Sequence, residues 1–63
     1  MIGNNIKKFR KEKGLTQDSL ARKAGIPYTT LAKLESNVVK KPSVQIAAKI
    51  ARALGISIEK LIK

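Results

Sequence analysis

The chain has 63 residues, no Cys and no His, and fourteen Lys plus Arg against four acids, for a formal net charge of +10. That length allows one small domain, residues 1–63, and the missing Cys and His exclude disulfide staples and the usual zinc ligand sets. A chain this short buries only ~60% of its unfolded surface, so its core must be aliphatic, and eight Ile, six Leu, three Val and seven Ala supply it.

The first segment, residues 2–13, places Ile2, Ile6 and Phe9 on one helical stripe, with Lys7, Lys8 and Lys11 facing away. Gly14 follows, suited to the left-handed position after a helix end. Thr16 reads as the N-cap of a second helix, residues 17–24, whose inward stripe is Leu20, Ala21 and Ala24. Gly25 closes it. Only Ile26 and Pro27 separate it from a third helix, Tyr28 to Glu35, because proline pre-sets a helical φ and needs no donor. Leu31 and Leu34 fix the inward side of this helix. Its opposite face carries Thr29, Ala32, Lys33 and Ser36, with Tyr28 at the leading end.

Residues 36–42 form a loop in which Asn37 tolerates a left-handed conformation. Ser43 caps a fourth helix, residues 44–54, with Ile46, Ala47, Ile50, Ala51 and Leu54 inward and Gln45, Lys49 and Arg52 outward. Gly55 ends it, and Ser57 caps a last short helix, residues 58–62. No stretch alternates as a strand does, and no repeat or linker is present. Five short helices cannot bury all of Ile56, Ile58, Leu61 and Ile62, which leaves an apolar patch near the C-terminus.

The excess positive charge favours a polyanionic partner, since each cation that replaces a phosphate counterion adds salt-dependent affinity. No apolar run approaches the ~20 residues of a membrane span. The N-terminus lacks the basic and apolar segments of a secretory signal, which fits a cytoplasmic setting. Glu12, Asp18, Glu35 and Glu59 are scattered. Without His or Cys they assemble no nucleophile–base arrangement or metal cluster, so an enzyme is the least favoured reading. Nothing in the sequence calls for a cofactor or a small-molecule ligand.

The stretch from Thr16 to Glu35 has its own physical logic. Two short helices with almost no linker cross steeply, Ala21 permits close approach, Gly25 makes the turn, and Ile26 and Leu31 fill the wedge. The third helix then projects outward, where it can enter a major groove about 12 Å wide. With Gly14-Leu15-Thr16-Gln17, Leu20-Ala21, Ala24-Gly25 and Leu34-Glu35 in this order, and residues 50–56 followed by Leu61, the chain resembles the phage repressor and Cro family of helix-turn-helix regulators. The resemblance covers residues 2–62. It implies an all-α, compact five-helix bundle of the lambda-repressor type, with the helix-turn-helix at helices two and three.

By position, the resemblance implies base contacts from Tyr28, Thr29 and Lys33. Phosphate contacts fall to Gln17, Thr30, Ser36, Asn37, Lys40 and Lys41, and Arg10 and Glu35 form a structural ion pair. It further implies a sequence-specific regulator of double-stranded DNA, most simply a repressor, that dimerises on a palindromic operator through Ile56, Ile58, Leu61 and Ile62. The alternatives are an antitoxin-like protein-binding module of the same fold and a non-specific binder of RNA or anionic surfaces. The chain departs from the family at Ser36-Asn37, where Asn-Gly is usual. Its reading positions also lack the Gln and Asn that bond adenine in bidentate fashion.

Overall fold

The computed structural model describes residues 2–39 and 41–62, and among them the chain forms five α-helices: α1 (Ile2–Glu12), α2 (Gln17–Ala24), α3 (Tyr28–Glu35), α4 (Val44–Leu54) and α5 (Ile58–Ile62). No strand occurs among the described residues. The starts and stops are local chemistry. The Thr16 hydroxyl accepts the Ser19 N–H at 3.0 Å and the Ser43 hydroxyl accepts the Ile46 N–H at 3.2 Å. The Ser57 hydroxyl accepts the Lys60 N–H at 3.3 Å. Each cap satisfies a donor that the helix itself leaves open. The first helix ends one residue before the predicted boundary: Lys13 still bonds the Phe9 carbonyl at 3.1 Å, but it already belongs to the turn that Gly14 completes.

The end of α2 sets the sharp corner. Gly25 takes φ 73°, and the Ile26 N–H reaches back to the Ala21 carbonyl at 3.0 Å. That 6→1 bond defines a Schellman end and turns the chain at once. Pro27 then stands just outside α3 with φ −63° and ψ 141°. It is therefore the extended N-cap residue of α3, with the helical backbone beginning at Tyr28.

One apolar core joins all five helices. Ile6, Leu20, Leu31, Leu34, Ile50, Leu54 and Leu61 are fully buried, and Ala21, Ala47 and Ala51 allow the helices to approach. Side chains of this size stabilise by ~1.5–3 kcal/mol each when fully buried. α4 packs against α2, α1 packs against α3, and α5 lies against α1 and α4. The Asn5 amide ties α1 to α5 by donating to the Leu61 carbonyl at 2.8 Å.

Leu61 corrects one expectation. Predicted as part of an exposed interface patch, it is instead fully buried. Helix α5 has only five residues and one deep anchor, so the side chain that points into the bundle is withdrawn from the surface. Ile56 and Ile58 are half-buried against the core, and only Ile62 stands out.

Candidate nucleic-acid interface

Helix α3 is held from beneath by two leucines and from the side by a polar clasp. Leu31 and Leu34 enter the core, while Tyr28, Thr29 and Lys33 are exposed on the other side and Thr30 is half-buried. Eight residues at 1.5 Å per residue make an outward rod about 12 Å long, and an α-helix with its side chains is about 10–12 Å across, a fit to the width of a B-DNA major groove. Its first turn carries no side-chain cap, so the positive end of the helix opens outward beside Tyr28 and Thr29.

The clasp is centred on Glu35, a carboxylate only 7% exposed. Arg10 Nε donates to Glu35 Oε2 at 2.8 Å and Arg10 Nη2 to Glu35 Oε1 at 3.1 Å, a bidentate pair. The third guanidinium nitrogen, Nη1, donates to the Leu15 carbonyl at 2.7 Å, so α1, the turn before α2 and the end of α3 share one cation. Gln17 extends the chain of bonds. Its Nε2 donates to Glu35 Oε1 at 3.2 Å, and its Oε1 accepts the Tyr28 hydroxyl at 3.2 Å. Tyr28 is half exposed at 49%, so a buried ion pair is wired to an exposed ring at the head of α3. The carboxylate survives burial because it is paired and fully hydrogen-bonded.

Beyond α3 the backbone folds back on itself. Asn37 takes φ 64°, its N–H bonds the Leu34 carbonyl at 3.2 Å, and the Val38 and Val39 N–H groups both reach Lys33 O, at 2.9 and 3.1 Å. At Ser36-Asn37, Asn37 thus adopts the left-handed backbone that glycine would adopt most readily. Ser36 is exposed and its hydroxyl donates to the Lys33 carbonyl at 3.2 Å; Asn37 is half-buried and Lys41 is exposed. Lys40, expected to contact phosphate, lies outside the described residues. Other cations sit elsewhere: Lys7, Lys8, Lys11 and Lys13 are exposed around α1, Lys49 and Arg52 line the outer side of α4, Lys60 is exposed on α5, and on α2 Lys23 is exposed and Arg22 pairs with Asp18 at 2.9 Å.

The structure therefore brings Gln17, Tyr28, Thr29 and Lys33 to one side, with Ser36 at the end of α3, whereas Lys41 lines an apolar groove with Ile2, Ile58 and Ile62. Sequence reasoning missed three features. It did not see that both polar ends of Gln17 are engaged within the protein. It missed the apolar groove of about 560 Å³ lined by Ile2, Lys41, Pro42, Val44, Ala47, Ile58 and Ile62, in which Val44 is 77% exposed. It also passed over Gly3, whose signal was its place inside a helical pattern, where glycine is unfavourable.

Two short helices joined by a Schellman turn, the second presented to solvent and buttressed from the first, constitute a helix-turn-helix. Residues 6–61 match the helix-turn-helix family, and the chain belongs to it. It is 40% identical over 62 residues to the HTH-type transcriptional regulator SinR of Bacillus subtilis, covering 98% of this chain and 56% of that protein. It is 38% identical over 61 residues to the immunity repressor protein of Bacillus phage phi105, covering 97% of this chain and 42% of that one. The chain thus spans about half the length of these relatives. Its fold superposes with a TM-score of 0.97 on the crystal structure of SinR, the master regulator for biofilm formation, in complex with DNA; the two are 40% identical, and all of both chains is covered.

Proposed function

We propose that residues 1–63 act as one DNA-binding domain of a transcriptional regulator, a repressor, working in the cytoplasm without catalytic activity. The observation that carries this reading is the exposed face of α3. Tyr28, Thr29 and Lys33 stand together on a rod of groove dimensions, on a chain of net charge +10. Both similar proteins named above are regulators or repressors by name, and the superposed SinR structure holds DNA.

In this reading α3 lies in the major groove. Lys33 donates to guanine O6 or N7, Thr29 bonds a base edge or meets a thymine methyl, and Tyr28 packs at the groove edge. Gln17 keeps Tyr28 in place and offers its second Nε2 hydrogen to a phosphate, while Thr30, Ser36, Asn37, Lys40 and Lys41 set the register on the backbone. The lysines around α1 contribute long-range attraction. A second copy meets the first over Ile56, Ile58 and Ile62, and the apolar groove extends that surface to Ile2 and Val44. Such an isologous pair matches a palindromic operator with half-sites one helical turn apart.

Selection of bound duplexes from a random library at physiological salt tests the proposal. The expected outcome is a palindromic consensus bound ~10³-fold or more above random duplex. Equal affinity for all duplexes overturns it.

A further inference from the structure

Three of the four glycines, Gly14, Gly25 and Gly55, have positive φ, and a Cβ added to any of them would meet nothing within 4 Å; they serve turns. Gly3 is different. It lies inside α1 and is buried, where an alanine would favour the helix more. A Cβ there would collide with the Leu34 carbonyl oxygen and lie 2.8 Å from Asn37 Oδ1. The first of these is backbone at the end of α3 and cannot step aside without carrying the helix with it. The α-hydrogen in the place of that Cβ points at the Leu34 oxygen instead.

The same oxygen accepts the Asn37 N–H at 3.2 Å, so α1, the last turn of α3 and the left-handed residue after it meet at one atom. Arg10 holds Glu35, the residue next to Leu34. Gly3 and Arg10 are seven residues apart, nearly two full turns, and so share one face of α1 about 10 Å apart along its axis. Helix α1 therefore grips the end of α3 at two separated points, one steric and one ionic. A single contact would let α3 pivot; two fix its direction.

We propose that Gly3 is a positioning residue for DNA recognition: its missing side chain seats α1 on the Leu34 carbonyl and, with Arg10, sets the angle at which α3 and the Asn37 loop are presented. The inference rests on the DNA-binding reading above. It goes beyond it by assigning orientation of the reading helix to a residue on another helix.

The test compares Gly3→Ala with Asn4→Ala, an exposed neighbour on the same helix, in the full chain. Gly3→Ala is expected to displace the amide resonances of residues 34–37 and to lower the preference for the selected duplex over random duplex at least about tenfold, the scale of losing one base contact. Asn4→Ala changes neither. If Gly3→Ala does not fold, the seat is read in the wild-type protein by cross-relaxation between the Gly3 α-protons and the Asn37 amide proton, which both lie against the Leu34 carbonyl oxygen; absence of that contact counts against the joint. Gly3→Ala with unchanged resonances at 34–37 and unchanged preference, in a protein melting at or above wild type, overturns the proposal. Wild-type protein that prefers no duplex defeats the DNA reading instead, and the resonance comparison still decides whether Gly3 seats α3.

Discussion

Helices α4 and α3 lie in the same bundle but are secured by different means. Helix α4 buries Ala47, Ile50, Ala51, Ala53 and Leu54 and is held by apolar contact along its length. Helix α3 sinks only Leu31 and Leu34 into the core, and its third buried residue is the carboxylate Glu35. Apolar burial is strong but non-directional. Hydrogen bonds at fixed distances, and a backbone oxygen against a glycine, specify direction. The comparison teaches that stability and aim are separate properties here: α4 contributes mostly to the first, and the clasp around α3 mostly to the second.

Four variants break or sharpen that contrast. The largest effect is expected for Glu35→Ala, which leaves the Arg10 guanidinium, 12% exposed, without its carboxylate; removing one partner of a buried pair costs about 3–5 kcal/mol. Urea denaturation should show most of the domain's stability gone. Next comes Ile50→Ala, a fully buried side chain on α4, at about 2–5 kcal/mol. Its midpoint should fall comparably, yet at low temperature the folded protein should keep the duplex preference of wild type.

The third variant separates the two properties. Arg10→Met combined with Glu35→Leu replaces the ion pair by apolar groups, an exchange often neutral or stabilising by ~1–4 kcal/mol. It also strips Gln17 Nε2 of its acceptor, so the Gln17 side chain that holds the Tyr28 hydroxyl is no longer anchored. The expected result is a melting temperature near or above wild type with the duplex preference reduced severalfold, read by competition binding. Full retention of preference would mean that the ion pair and its hydrogen bonds do not aim α3. The smallest effect belongs to Arg22→Ala. Its pair with Asp18 is 80% and 56% exposed on α2 and contributes about 0.3–0.5 kcal/mol, a shift of a degree or two in thermal melting that should vanish in high salt.

The helices themselves are legible in the sequence because their boundaries are written in single residues. Thr16, Ser43 and Ser57 cap, Gly14, Gly25 and Gly55 close, and the spacing of Leu20, Leu31, Leu34 and Ile50 tells which side is inward. The exposed side of α3 follows from that spacing. Less legible are contacts joining residues far apart in the chain. That Gln17 bridges Glu35 and Tyr28 depends on how α2 and α3 cross, which periodicity does not encode. Helix α5 is legible only in part, because five residues give too little periodicity to separate Leu61, which is buried, from Ile62, which is 57% exposed. Gly3 is hidden because a glycine that makes room for another backbone looks, in sequence, like any other glycine.

If the working face is the outer side of α3, aimed by its clasp, titration of isotope-labelled protein with its selected duplex, followed by amide NMR, shows it most directly. The largest shifts are predicted at Gln17 and residues 28–33, with those at Gln45, Lys49 and Arg52 on the outer side of α4 small. Shifts centred on α4 or on the lysines of α1, with residues 28–33 unmoved, would contradict it.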